Sequence, residues 1–309
     1  MTDIATFERH RAHLLSIAYR MLGEMAGAED IVQEAWLRWR RADGEDIRDP
    51  RAWLSAVTVR LSLDALRSAR VRRESYVGPW LPEPLLPDDL RGFASDGPAA
   101  HAELASDLSL ALMHVLERLS PEERAALILH DAFDCDYAEI AATLGKNETA
   151  CRKLVSRARD RVKTDRPRFT VSQDAHRDLL MRFAKAAATS DEKQLAALMA
   201  PDAIAYTDGG GRVAAALNPI NGPDKIARFL LGLNRKFYSE ADLDTSMTTI
   251  NGRPALILRD GDEMLGVFAI ETDGNVITAL YGVRNPDKLK RLIASLTPSV
   301  REPSPSARQ

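Results

Sequence analysis

Apolar residues recur at helical spacing through residues 1–73, without strand-like alternation. From Ala28 onward, Ala28, Val32, Ala35, Trp36 and Trp39 fall on one face of a helix, and Asp30, Gln33, Glu34, Leu37 and Arg41 on the reverse. Asp49 and Pro50 make an N-cap and first-turn pair for a second helix carrying Trp53, Leu54, Val57, Leu61 and Leu66. Between Glu74 and Pro98, five prolines and three glycines break the pattern and predict an extended connector. Helical spacing resumes near Ala99, breaks at Ser120-Pro121 and continues to about Lys163, with Pro167 closing the unit.

Inside that second unit, Tyr137, Ile140, Ala141 and Leu144 form one stripe of a short helix that Gly145 stops. Asn147 is placed to cap a following helix on which Cys151, Leu154, Val155, Ala158 and Val162 face inward. Thr149, Arg152, Lys153 and Ser156 then share the outer face, which carries hydrogen-bonding and cationic groups and no large apolar one. An ordinary helical hairpin has the same spacing. The agreement of cap, turn and charge favours a helix-turn-helix whose second helix enters a major groove.

Beyond a helix at about Asp174 to Ser190, the pattern changes to short runs at Leu243 to Ile250, Ala255 to Arg259, Leu265 to Glu271 and Val276 to Val283. Asn251-Gly252, Asp260-Gly261 and Asp273-Gly274 separate them and predict hairpins. The expected divisions are 1–73, a proline-rich linker 74–98, 99–167, 168–292, and a disordered tail 293–309.

The net charge of -3 gives no pointer to a nucleic-acid partner, but its distribution does. Eight basic residues stand against two acidic ones between Arg152 and Arg168, and five against one between Arg60 and Arg73. Such clusters suit phosphate contact, although a solvated face is equally basic. The two cysteines, Cys135 and Cys151, have neither disulfide-framework nor metal-ligand spacing and are read as core residues. With no apolar run long enough to span a membrane and no secretory pattern, the expected location is the cytoplasm. Leu37 amid acidic and amide groups forms a candidate partner surface. Trp53 beside the basic stretch is either core or a ring on which unstacked bases rest.

These residues carry a resemblance. Ala28 to Leu37 resembles the segment of extracytoplasmic-function sigma factors that binds the β′ coiled coil of core RNA polymerase. Pro50 to Leu54 with Asp64 to Arg67 resembles the helix that melts and reads the −10 element. Leu116 to Leu127, the helix-turn-helix and Ser156 to Arg159 resemble the domain that reads the −35 element and touches the β flap. Trp80-Leu81-Pro82-Glu83-Pro84, Asp208-Gly209-Gly210-Gly211-Arg212 and Asn285-Pro286-Asp287-Lys288-Leu289 resemble signatures of a sigma-J-like group with a SnoaL-like extension of the nuclear-transport-factor-2 superfamily.

The resemblance implies a multi-domain chain: two all-α sigma domains, a region 2 helical bundle and a region 4 helix-turn-helix, plus a C-terminal α+β cone with a curved mixed sheet. It implies promoter-specific transcription initiation, without enzymatic activity, metal or cofactor, and no membrane partner. Core polymerase is expected to bind Asp30, Gln33, Glu34 and Leu37. The −10 strand, once melted, is expected at Trp53, Arg60, Asp64, Arg67 and Arg70, although many relatives carry Asn at the Arg60 position. Duplex −35 DNA is expected at Thr149, Arg152, Lys153, Ser156 and Arg157. The three signatures are expected to meet in one interdomain interface through which the extension regulates the sigma domains, with Trp80 against the Asp208 loop and near Asp287.

Pockets of this superfamily hold substrates or nothing, which leaves room for a small-molecule ligand in the C-terminal domain. Asp208 and Asp260 are candidate acid/base groups, but lone carboxylates at strand ends ordinarily shape turns. Two other functions fit parts of the pattern: a ligand-responsive helix-turn-helix regulator acting without polymerase, and a SnoaL-like enzyme with a DNA-binding appendage.

Overall fold

The computed structural model describes residues 3–42, 47–73, 76–91, 93, 108–165, 171–238 and 241–296. The first unit comprises α1 (Ile4–Leu22), α2 (Met25–Arg41) and α3 (Pro50–Arg73). Asp3 caps α1 by accepting from the Thr6 N–H at 2.5 Å, and Asp49 accepts from the Ala52 N–H at 3.0 Å ahead of Pro50. Gly23 ends α1 in the left-handed region. A side chain there would meet the Trp80 ring, so the position needs glycine for two reasons.

The connector holds a short helix, α4 (Pro87–Arg91), before α5 (Leu110–Glu117) and α6 (Pro121–Leu127). The helical pattern expected from Ala99 begins outside the described residues. Ser120 and Glu123 form a reciprocal capping box on α6, which runs on into a π-helical turn, Ile128–Ala132. Asp136 and Glu139 repeat the capping box on α7 (Tyr137–Leu144), and Gly145 closes it at a φ of 64°. Asn147 then accepts from the Ala150 N–H at 2.8 Å to start α8 (Glu148–Asp165). One apolar cluster runs from Phe7 to Ala158, so the two helical units share a continuous core. Arg124 of α6, almost wholly buried, locks them by donating to the Met21 carbonyl at 2.6 Å and pairing with Glu117 at 2.5 Å.

The C-terminal domain contains α9 (Gln173–Ala188), α10 (Glu192–Ala197), β1 (Met199–Asp208), β2 (Ile220–Asn221), α11 (Pro223–Phe237), β3 (Leu243–Ile250), β4 (Arg253–Asp260), β5 (Glu263–Thr272), β6 (Ile277–Val283) and α12 (Pro286–Leu296). Its six-stranded sheet has the order β2-β1-β6-β5-β4-β3, with β1 parallel to β6 and the other neighbours antiparallel. The three predicted hairpins form. The sequence pattern does not single out β1, because Pro201 and Asp202 depress strand propensity and small alanines blur the alternation. Its pairing with β6, separated by more than seventy residues, holds it, and a register shift between Met199 and Ile204 absorbs the proline.

Period-two alternation gives the sheet two apolar faces. Leu256, Ile270 and Leu280 pack beneath α9, α10 and α11. Ile257, Val267, Ala269 and Tyr281 on the other face pack against Leu81 and Leu86 of the connector, Leu110 and Ala111 of α5, and Leu289 and Leu292 of α12. At roughly 25 cal/mol per Å² of apolar surface, this second face alone gives the extension a strong reason to remain docked.

The final helix moves one expected boundary. Asn285 to Leu289 opens it: Pro286 occupies the first helical position and the Asn285 side chain accepts from the Asp287 N–H at 3.0 Å. Leu289, Leu292 and Leu296 then keep helical spacing against the sheet, so the helix passes the expected boundary at 292. Residues 297–309 lie outside the described residues.

Candidate nucleic-acid interface and interdomain junction

On α8, Cys151, Leu154, Val155 and Ala158 are buried, and Thr149, Arg152, Lys153, Ser156 and Arg157 are exposed. Arg152 pairs with Glu148 at 2.6 Å and lies over the Tyr137 ring at 4.5 Å, while Arg157 pairs with Glu123 at 2.9 Å. The Arg152 pair is exposed at both ends, so it is worth about 0–1 kcal/mol and exchanges readily for a phosphate.

The outer face of α2 presents Asp30 and Gln33 to solvent, Glu34 paired with Arg38 at 3.2 Å, and Leu37 at 39% exposure. On α3 the tryptophan is half-buried, with its ring 5.6 Å from that of Trp39, so Trp53 is in part a core residue. Arg60 is exposed, but its guanidinium donates to the Thr143 and Ala142 carbonyls at 3.1 Å each, where the end of α7 leaves carbonyls without helical partners. Asp64 and Arg67 form an exposed pair at 3.2 Å. The side chain of Arg70 lies outside the described residues. Trp53 and Arg60 line a cleft of about 850 Å³ whose opposite wall is Phe133, Cys135 and Glu139 of the helix-turn-helix unit. The face expected to take the melted strand thus lies against the second helical unit. Cys135, expected in the core, is half-buried in this cleft, and burial pushes its thiol up to about 11.

The three signature segments meet. Asp208, at 0% exposure, ends β1 and accepts from the Tyr76 hydroxyl at 2.5 Å, the Gly210 N–H at 3.0 Å, the Leu81 N–H at 2.9 Å and the Lys288 ammonium at 2.7 Å. Lys288 also donates to the Leu81 carbonyl and sits 3.8 Å from the centre of the Trp80 ring and 5.1 Å from that of Tyr76. Burial pulls its ammonium below the ordinary lysine value, and the Asp208 carboxylate opposes that shift. Asn285 donates to the Tyr76 hydroxyl at 2.9 Å, and Arg212 pairs with Asp287 at 2.8 Å. A side chain at Gly209 would strike the Val213 carbonyl and one at Gly210 the Asn285 amide, so the glycine run permits a close approach of chains. Trp80 thus stacks on the same Lys288 ammonium that pairs with the Asp208 carboxylate.

The connector also reaches the first helical unit. Glu83 donates its N–H to the Gly23 carbonyl at 2.8 Å and accepts from the Tyr19 hydroxyl at 2.7 Å, and its carboxylate takes the Met25 N–H at 2.7 Å, capping α2 from outside. Pro82 and Pro84 on either side are buried.

Sequence reasoning missed several contacts. Asn251, read only as a hairpin residue, is fully buried at a φ of 49°. Its side chain accepts from the Leu85 N–H at 2.9 Å and donates to the Leu108 carbonyl at 2.7 Å and the Tyr19 hydroxyl at 3.1 Å. Arg291 bridges Asp89 of the connector and Glu29 of α2 at 2.8 and 2.9 Å. No local signal distinguishes Asn251 from any other hairpin asparagine. Tyr76 stands in the proline-rich connector four residues before Trp80, and a hydroxyl-bearing aromatic there was the one available signal.

The helix-turn-helix thus carries a cationic outer face, and the three-helix unit an acidic and apolar one. Residues 6–72 match Sigma-70 region 2 and residues 109–162 match Sigma-70, region 4. The chain belongs to the extracytoplasmic-function RNA polymerase sigma factors, which direct promoter-specific transcription initiation and bind core RNA polymerase and promoter DNA. It is 40% identical over 294 residues to the ECF RNA polymerase sigma factor SigJ of Mycobacterium tuberculosis, covering 93% of each chain. It is 32% identical over 294 residues to the probable sigma factor SigI of the same organism, covering 94% of this chain and 96% of that one. The crystal structure of the Mycobacterium tuberculosis SigJ protein matches with a TM-score of 0.71 and 38% identity over 93% of this chain and 98% of that one, and the SnoaL-like extension is consistent with it. Among the described residues no helix is long and apolar enough to cross a membrane.

Proposed function

We propose that the C-terminal domain regulates the sigma regions from within the chain, clamping the connector and holding regions 2 and 4 in a closed form that opens at a promoter. The observation that carries this reading is the Asp208 carboxylate, which belongs to the C-terminal domain yet bonds Tyr76 and Leu81 of the connector. The −10 and −35 elements lie about 25 base pairs apart, or about 85 Å of duplex. Arg60 on α3 touches Ala142 and Thr143 on α7. One closed chain therefore does not reach both elements. The residues between α3 and α5, about 36 of them, span roughly 120 Å when extended, enough for the open form.

In the open form Asp30, Gln33, Glu34 and Leu37 dock on the β′ coiled coil, and region 4 reaches the β flap. Thr149, Arg152, Lys153 and Ser156 face −35 bases, with Arg157 beside the phosphates. Trp53, Arg60, Asp64, Arg67 and Arg70 take the melted −10 strand. The Arg291–Glu29 bridge stands one residue from Asp30, so release of α12 also clears the approach to the polymerase face.

The test pairs fluorescent labels on exposed sites of α3 and α8 in the full chain, then adds core polymerase and a cognate promoter. Energy transfer should fall as the regions separate. Trp80→Ala should shift the free chain toward the open form and raise transcription in vitro while both domains stay folded. Undiminished transfer in the promoter complex sinks the closed-form reading.

A further inference from the structure

The inner face of the C-terminal sheet, with α9 and α11 above it, lines a partly open cavity of about 210 Å³. Its walls are mainly apolar, with Phe183, Leu231, Leu256 and Phe268 prominent. Four polar side chains interrupt them: Arg284, Tyr238, Asn234 and Thr245.

Arg284 is 3% exposed. Its guanidinium donates to the Ala214 and Leu265 carbonyls and to the Tyr238 hydroxyl, and no carboxylate bonds it among the described residues. A guanidinium stays protonated at any ordinary pH, and a buried cation is ordinarily matched by a counter-charge. Here the counter-charge is missing on the cavity wall. The Oδ1 of Asn234, on the same wall, is buried and has no hydrogen-bond partner. An acceptor left unsatisfied calls for a donor.

We propose that this cavity binds a small organic monocarboxylate with an apolar ring or short chain. The carboxylate pairs with Arg284 beside the Tyr238 hydroxyl, a hydroxyl or N–H elsewhere on the ligand donates to Asn234 Oδ1, and the apolar body lies against Phe183 and Phe268. Size supports a single ring, since an apolar cavity of about 150 Å³ holds benzene. One guanidinium amid apolar walls suits a monoanion and not a phosphate, which needs several donors.

The site is connected to the junction. The Arg284 N–H donates to the Asp208 carbonyl at 2.8 Å, and the next residue, Asn285, holds the Tyr76 hydroxyl. A ligand that draws the guanidinium away from Tyr238 therefore acts one residue from the clamp. This consequence rests on the regulatory reading given above; the site itself does not.

Titration calorimetry on the full chain with benzoate, hydroxybenzoates and hexanoate, against benzamide and methyl benzoate, tests the site. The acids should bind one per chain and at least about tenfold tighter than the neutral compounds. Ala187→Phe, which fills the cavity from α9, should abolish binding. Equal binding of acids and neutral analogues, no acid binding at millimolar concentration, or full binding by Ala187→Phe overturns the proposal. The α3–α8 energy transfer is then read with the tightest acid present. Saturated binding with no change in transfer speaks against the regulatory reading and leaves the site standing.

Discussion

Replacing Asp208 by Asn keeps the shape of the side chain and removes its charge. One oxygen can still accept from Tyr76 and Gly210. The new amide group then faces the Leu81 N–H and the Lys288 ammonium, both donors, so two hydrogen bonds become donor-to-donor contacts. Lys288, 7% exposed, also loses its counter-ion. Removing one partner of a buried pair costs about 3–5 kcal/mol, or roughly two to three and a half powers of ten in an equilibrium. Of the four bonds to the carboxylate, those from Tyr76 and Leu81 cross from the connector, and those from Gly210 and Lys288 stay within the C-terminal domain. The loss should therefore divide between opening of the junction and a lower melting temperature of the C-terminal domain. Hydrogen exchange resolves the two. The Leu81 amide should exchange at least about tenfold faster in Asp208→Asn, whereas β4 and β5 amides should keep most of their protection. A folded Asp208→Asn protein with unchanged exchange at Leu81 would refute the claim that this carboxylate holds the connector.

Leu37→Ala combined with Asp30→Ala should weaken binding to core polymerase by about tenfold or more without lowering the melting temperature, because both side chains are exposed on α2; unchanged affinity in a holoenzyme assay contradicts the assignment. Alanine at Thr149, Arg152, Lys153 and Ser156 together should abolish −35 discrimination. Singly, a base-reading residue should cost about 1–3 kcal/mol at one position and a phosphate contact should weaken all sequences alike, as binding to a promoter library will show. Burial, with Arg51 and His10 nearby, pushes His13 down to about 4 from an ordinary 6.5. Its ring meets Phe133 of region 4. Between those values the unfolded chain takes up a proton that the folded chain refuses, so stability should fall as pH drops from about 6.5 to about 4 and level off below. Melting curves of His13→Asn should show a shallower slope over that window, and an identical slope would remove His13 from the account.

What the sequence determines by itself here is local. Gly145, Asn147 and the spacing of Cys151, Leu154, Val155 and Ala158 define the turn, the cap and the buried side of α8 within about fifteen residues, where backbone sterics and helical periodicity suffice. The hairpins at Asn251-Gly252 and Asp273-Gly274 are legible for the same reason, and the Asp208 to Arg212 run could be read as a loop admitting close approach. The partners that fill these local forms were not legible. Asn251 as a turn residue follows from its neighbours, but its burial against Tyr19, Leu85 and Leu108 depends on how a whole sheet lies on two helical units. Likewise β1 is a strand because β6 pairs with it, and Arg60, exposed and basic in any helical reading, finds its acceptors on α7 only after the two units share a core. Periodicity carries the sign of a residue's environment, inward or outward; which distant group arrives there is decided by the packing of apolar faces, a property of the assembled chain.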